Sequence, residues 1–155
     1  MTKLIADPNV RTLLQVDTLL VLGLMLMSNY TSVLRLSRKV YATPEDYALN
    51  RLAVPSATVE STRSAELGEP IERSRRIHRN HLENVLPFLV LSVLYALTQP
   101  GHALFAGLLW AFLALRMIYT VFYVRGMQPH RTIAFTVGAL ISFTIVVLTL
   151  AATLA

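Results

Sequence analysis

The chain has 155 residues, of which 54 % are hydrophobic and 15 % charged. A soluble domain carries roughly a quarter charged residues, so this deficit, with a mean hydropathy of +0.53, makes lipid the expected solvent. Cysteine is absent, which excludes disulfides, thiolate metal sites and a cysteine nucleophile; no metal site is expected, and any thiol chemistry must bring its thiol on a substrate.

The first apolar stretch runs from Leu13 to Leu36, with Asp17 near its start and the polar run Ser28, Asn29, Tyr30, Thr31, Ser32 near its end. It is too long for the apolar part of a cleavable signal and lacks a small-x-small site. A polar stretch from Ser37 to Arg79 follows, punctuated by Pro44, Pro55, Gly68 and Pro70. The second apolar stretch, Leu82 to Thr98, has Glu83 at its head and can extend back through Asn80. Beyond the turn Gln99-Pro100-Gly101, a third runs from Ala103 to Val124 with one charge, Arg116. The loop Arg125 to Arg131 leads to a fourth, Thr132 to Ala155, with no charge. About 20 apolar residues span a bilayer as a helix, and continuous rather than alternating runs exclude barrel strands. The sequence therefore predicts one all-α, membrane-integral domain over residues 1–155. Its architecture is a four-transmembrane-helix antiparallel bundle, with helices at about 12–36, 80–98, 102–124 and 132–154 and a loop at about 37–79.

The charges sort by side. Of the 14 Lys and Arg, nine lie between Arg35 and Arg79, two more are Arg125 and Arg131, and only Lys3 and Arg11 fall at the other end. This asymmetry argues against nucleic acid as a partner. The positive-inside rule puts the basic end in the cytoplasm and both termini on the opposite side, in a bacterial inner membrane or the endoplasmic reticulum.

Arg116 is the charge that hydropathy does not explain. It lies eight residues before Val124, about 12 Å along a helix, where an ionisable group is usually paired or functional. Tyr119 and Tyr123 share its helix face. On the second segment Arg76, Arg79, Asn80 and Glu83 recur at helical spacing, and Glu83 with Arg116 is the candidate buried pair. Pro87, four residues after Glu83, is expected to kink a continuous helix there. Arg131 and Thr132 open the fourth segment, where free N–H groups and the helix dipole suit an anion. For Arg73, Arg75 and Arg76, lipid-headgroup anchoring is an equal alternative. A ligand matching these groups carries several negative charges and one positive charge. Glutathione fits, with two carboxylates, an ammonium and a thiol, although other anionic amphiphiles would fit too.

Two stretches carry a family resemblance. Arg35-Leu-Ser-Arg-Lys-Val-Tyr-Ala-Thr-Pro-Glu-Asp46 resembles the segment after helix one of the MAPEG superfamily (membrane-associated proteins in eicosanoid and glutathione metabolism). Glu72-Arg-Ser-Arg-Arg-Ile-His-Arg-Asn-His-Leu-Glu-Asn-Val-Leu-Pro-Phe88 resembles its most recognisable pattern, continued by Arg116, Tyr123 and Gln128-Pro129-His130-Arg131. The likeness is strongest to the glutathione transferase type one and prostaglandin E synthase branch. It implies a homotrimer with glutathione between subunits near the cytoplasmic face. It also implies that Arg79, Asn80, Glu83, Arg116 and Tyr123 hold the peptide, Arg35 comes from the neighbouring subunit, and Asp46 lies near the site. Arg131 matches the arginine that stabilises the thiolate, with Thr132 or Tyr123 as hydroxyl donors. Tyr119, grouped with the glutathione-binding residues, stands where both branches have histidine. Phe135 stands where the synthase has tyrosine, and His81 replaces an aspartate. These departures disfavour prostaglandin isomerase activity and leave glutathione transfer or peroxidase chemistry on lipophilic small molecules. The competing readings are a lipid-binding or partner-presenting protein of the same fold, and a small transporter.

Overall fold

The computed structural model describes residues 5–40, 45 and 60–154; Asp46, one of the expected site residues, lies outside them. Four helices account for nearly all of the described chain: α1 (Pro8–Arg38), α2 (Glu60–Leu97), α3 (His102–Val124) and α4 (His130–Leu154). No strand occurs among the described residues. All four helices are long and apolar enough to cross a membrane.

Local chemistry sets the ends of α1. The Asp7 carboxylate accepts from the backbone N–H groups of Asn9 (2.7 Å) and Val10 (3.2 Å), and Pro8 takes the first turn, where its missing N–H costs nothing. At the other end Lys39 is left-handed (φ 57°). The N–H groups of Lys39 and Val40 then close onto the carbonyls of Leu36 and Arg35. Arg35 and Arg38 sit in the last turn, where cations favour the dipole.

The helix α2 departs most from expectation. It begins at Glu60, inside the stretch expected to be loop, and runs unbroken through Pro70 and Pro87. Its polar part carries charge pairs one turn apart, Arg73 with Glu69 at 2.9 Å and Arg75 with Glu72 at 2.6 Å. Such pairs support an exposed helix that has no apolar run to announce it.

Hydrogen bonds at opposite ends show the up-and-down order. Asn9 Nδ2 donates to the Pro100 carbonyl (2.8 Å) and Asn9 Oδ1 accepts from His102 Nδ1 (2.9 Å), so α1 starts beside the α2–α3 turn. At the far end Arg73 Nη1 donates to the Val124 carbonyl (3.2 Å). Helix α1 packs on α2 and α3, and α4 packs on the same two, while α1 and α4 do not touch. The core lies among all four, centred on Phe88 and Phe112, whose rings stack at 3.6 Å and 1°. Nearby, the Ser92 Oγ proton is shared between Asp17 Oδ2 (2.9 Å) and the Leu89 carbonyl (2.8 Å), and among the described residues Asp17 Oδ1 is buried without a partner. Each helix buries only 17–28 % of its most apolar stretch inside the protomer, so most of that surface is left for lipid or for other copies.

Candidate active site

One turn beyond Phe112 on α3, the Arg116 side chain turns into the bundle and is 2 % exposed. Aromatic rings surround its guanidinium: the carbon lies 4.9 Å from the Phe112 centroid, 5.7 Å from Tyr119 and 5.9 Å from Phe135. Ring faces attract a guanidinium electrostatically, more so where water is excluded. Among the described residues its one hydrogen bond is long, from Nη1 to Asn80 Oδ1 at 3.4 Å, and Nε and Nη2 have no partner.

The expected pair of Glu83 with Arg116 does not form. Among the described residues no ion pair involves either group. Asn80 faces α3 and takes the place assigned to Glu83, while Glu83, three residues on, is turned to the exposed surface of the protomer. The helix itself continues through Pro87; proline has no N–H to offer the Glu83 carbonyl.

Tyr119 and Tyr123 continue the Arg116 face towards the basic end. Tyr119 is buried and lies edge-on to Tyr123, centroids 5.6 Å apart, and against Phe135 at 6.3 Å. Arg131, in the first turn of α4, lays its guanidinium over the Tyr123 ring at 4.4 Å. Gln128 fixes that arginine. With its amide oxygen towards Arg131 it accepts from Nε (3.1 Å) and from Nη2, and its nitrogen donates to Thr132 Oγ1 at 3.0 Å. Thr132 then accepts a bond and keeps its own proton to donate. Asn80, Arg116, Tyr119, Tyr123, Arg131 and Thr132 thus form one chain of neighbours across α2, α3 and α4.

Arg35 and Arg79 lie elsewhere. They line an open cavity of about 330 Å³ between α1 and α2, together with Arg75, His78 and the hydroxyls of Ser28, Thr31 and Ser32. A larger cavity, about 740 Å³ and mainly apolar, opens between α1 and α3. It borders Met117, Thr120 and Val121, away from the face that carries Tyr119 and Tyr123. Beside it Thr120 Oγ1 donates to the Arg116 carbonyl (2.9 Å). A hydroxyl has one proton, so His81 Nε2, 2.9 Å from the same oxygen, is the donor there.

The model of the MAPEG family matches residues 13–151. This chain belongs to the MAPEG family. Among MAPEG relatives, it is 35 % identical over 123 residues to microsomal glutathione S-transferase 1 of Homo sapiens, covering 78 % of this chain and 76 % of the relative. The Mus musculus protein of that name is 34 % identical over 122 residues, covering the same shares. Prostaglandin E synthase of Canis lupus familiaris is 31 % identical over 125 residues, covering 80 % and 76 %.

Sequence reasoning gives no contact to three residues of this cluster. Gln128 enters only as part of a pattern, although it precedes Arg131 by one turn, a spacing that offers a signal. Phe135 enters only as a departure from the synthase branch and Phe112 not at all, because nothing in their spacing shows that both close on one guanidinium.

Proposed function

We propose that this protein is a membrane-bound glutathione transferase, with glutathione-dependent peroxidase chemistry at the same site, assembled as a homotrimer. The observation that carries the reading is the Arg131 guanidinium, held by Gln128 and laid on Tyr123 at the start of α4. A free thiol has a pKa of about 8.5 and is mostly protonated at neutral pH; a cation and a helix N-terminus lower it. Arg131 favours the glutathione thiolate, and the free protons of Thr132 and the Tyr123 phenol can donate to it.

The arginines meet the two glutathione carboxylates: Arg116 and Arg79 from one copy, and Arg35 from the next. Glu83, exposed on the protomer surface, and Asp46 meet the ammonium, and Asn80 the peptide. In this reading Arg35 and Arg131 act on one ligand from different copies, which accounts for their standing on helices that do not touch within a protomer. The thiol proton leaves to water. The thiolate then attacks an electrophilic carbon dissolved in the bilayer, a C–S bond forms, and the leaving group departs. The protein supplies position and charge, and the nucleophile belongs to the co-substrate. The charge asymmetry supports a site on the cytoplasmic side. Phe135, at a position where the synthase branch carries tyrosine, favours transfer over prostaglandin isomerisation.

The test is ultraviolet thiolate absorbance on adding glutathione to purified protein, with turnover of a halonitrobenzene, an organic hydroperoxide and a lipid epoxide. Arg131→Leu should lose the thiolate band and lower turnover about a hundredfold, while glutathione affinity stays within about threefold of the parent. Unchanged turnover in that variant refutes the role of Arg131. A parent protein that binds no glutathione points instead to a non-catalytic lipid-binding member of the fold.

A further inference from the structure

Arg116 is buried, yet hydrogen bonds do not define where it sits. Among the described residues its single bond is 3.4 Å long, and Nε and Nη2 have no partner. Three rings bound it, and on the remaining side it meets the backbone of α4 at Gly138, itself buried. A Cβ added to Gly138 would lie 2.7 Å from Arg116 Nη2, 3.5 Å from the guanidinium carbon and 3.6 Å from Nε. The first of these is closer than real Cβ contacts come, so an alanine here would force the guanidinium to shift. This glycine is not needed for backbone freedom, since it sits in mid-helix, where alanine is the better helix former. What it supplies is room: the Nη2 end of the guanidinium packs where a side chain at this position would stand.

We propose that Gly138 is a positioning residue: its missing side chain seats the Arg116 guanidinium against α4, in register with Asn80, and so sets the affinity for a carboxylate of the co-substrate. The proposal rests on the glutathione reading above and adds to it a residue that touches no ligand. Gly107, whose Cβ would meet nothing within 4 Å, is the control position.

The experiment is a double-mutant cycle of Gly138→Ala and Arg116→Lys, in the full-length protein in detergent or lipid, with Gly107→Ala beside it. Lysine keeps the charge but lacks the η nitrogens that the new methyl would meet. Gly138→Ala should raise the glutathione KM about tenfold, as for one weakened charge-assisted hydrogen bond, with kcat changed less than KM. Gly107→Ala should leave both unchanged. In the Arg116→Lys background the same glycine substitution should have no further effect on glutathione dissociation, and should change Tm only as Gly107→Ala does, through helix propensity. The Arg116 Nε resonance in ligand-free ¹⁵N-labelled protein should move in Gly138→Ala and stay in Gly107→Ala. That readout needs no glutathione, so it separates failure of this proposal from failure of the functional reading. If Gly138→Ala alone does not fold, recovery of the fold on adding Arg116→Lys supports the proposal. An unmoved resonance overturns it, as does an equal effect of Gly138→Ala in both backgrounds, which would mark a helix-packing role.

Discussion

The Arg131 guanidinium lies 4.4 Å above the ring of Tyr123, so a residue of α3 sets the height at which the first turn of α4 presents its positive charge. Two roles for Tyr123 then separate by substitution. Tyr123→Phe keeps the ring and should hold turnover within about twofold, whereas Tyr123→Ala removes the platform and should cost about tenfold. Steady-state kinetics with a halonitrobenzene reads the difference. A phenylalanine variant as impaired as the alanine one would show that the phenol, not the ring face, is the contributor.

Gln128 makes a sharper case, because a stronger bond should give a worse enzyme. Its amide oxygen takes two donors of Arg131 without adding charge. Gln128→Ala frees the guanidinium and should lower kcat about threefold. Gln128→Glu ties the arginine more tightly but neutralises the field that favours a thiolate. It should lower kcat more than alanine does and weaken the thiolate absorbance, while glutathione KM changes little. A glutamate variant as active as the parent would exclude an electrostatic role for Arg131.

Far from this site, Ser92 and Asp17 give a prediction about stability alone. Among the described residues Ser92 Oγ is the one donor to Asp17, sharing its proton with the Leu89 carbonyl, and Asp17 Oδ1 is without a partner. Ser92→Ala should destabilise by about 1–3 kcal/mol, the cost of leaving a buried polar group unmet. Removing both polar groups together, as Asp17→Leu with Ser92→Ala, should recover most of it. Thermal unfolding in detergent of the parent, both single variants and the double variant measures this, and an additive loss in the double variant would contradict the pairing.

How far the sequence could be read depends on what each signal measures. Apolar runs located α3 and α4 to within two residues, because membrane helices announce themselves by composition. They missed the first twenty-odd residues of α2, where Glu69, Glu72, Arg73 and Arg75 support a helix through charge pairs that hydropathy counts as loop. The depth of Arg116 was legible, since an isolated charge in a lipid span stands out. Its partner was not: Asn80 and Glu83 lie on overlapping faces of α2, and only the rotation of that helix against α3 decides which one turns inward. The roles of Phe135 and Gly138 were beyond reach for the same reason, each acting through a contact between helices, whereas Gln128 acts on Arg131 one turn away and its spacing was there to be read.

Arg35 and Arg131 are carried by the two helices of a protomer that have no contact with each other. If one ligand draws on both, a lesion in either arginine disables a half rather than a whole centre. Chains damaged in different halves would then restore function when produced together, and chains damaged in the same half never would. Co-expression of two silent variants therefore reports, by the return of turnover, how neighbouring copies face one another in the membrane.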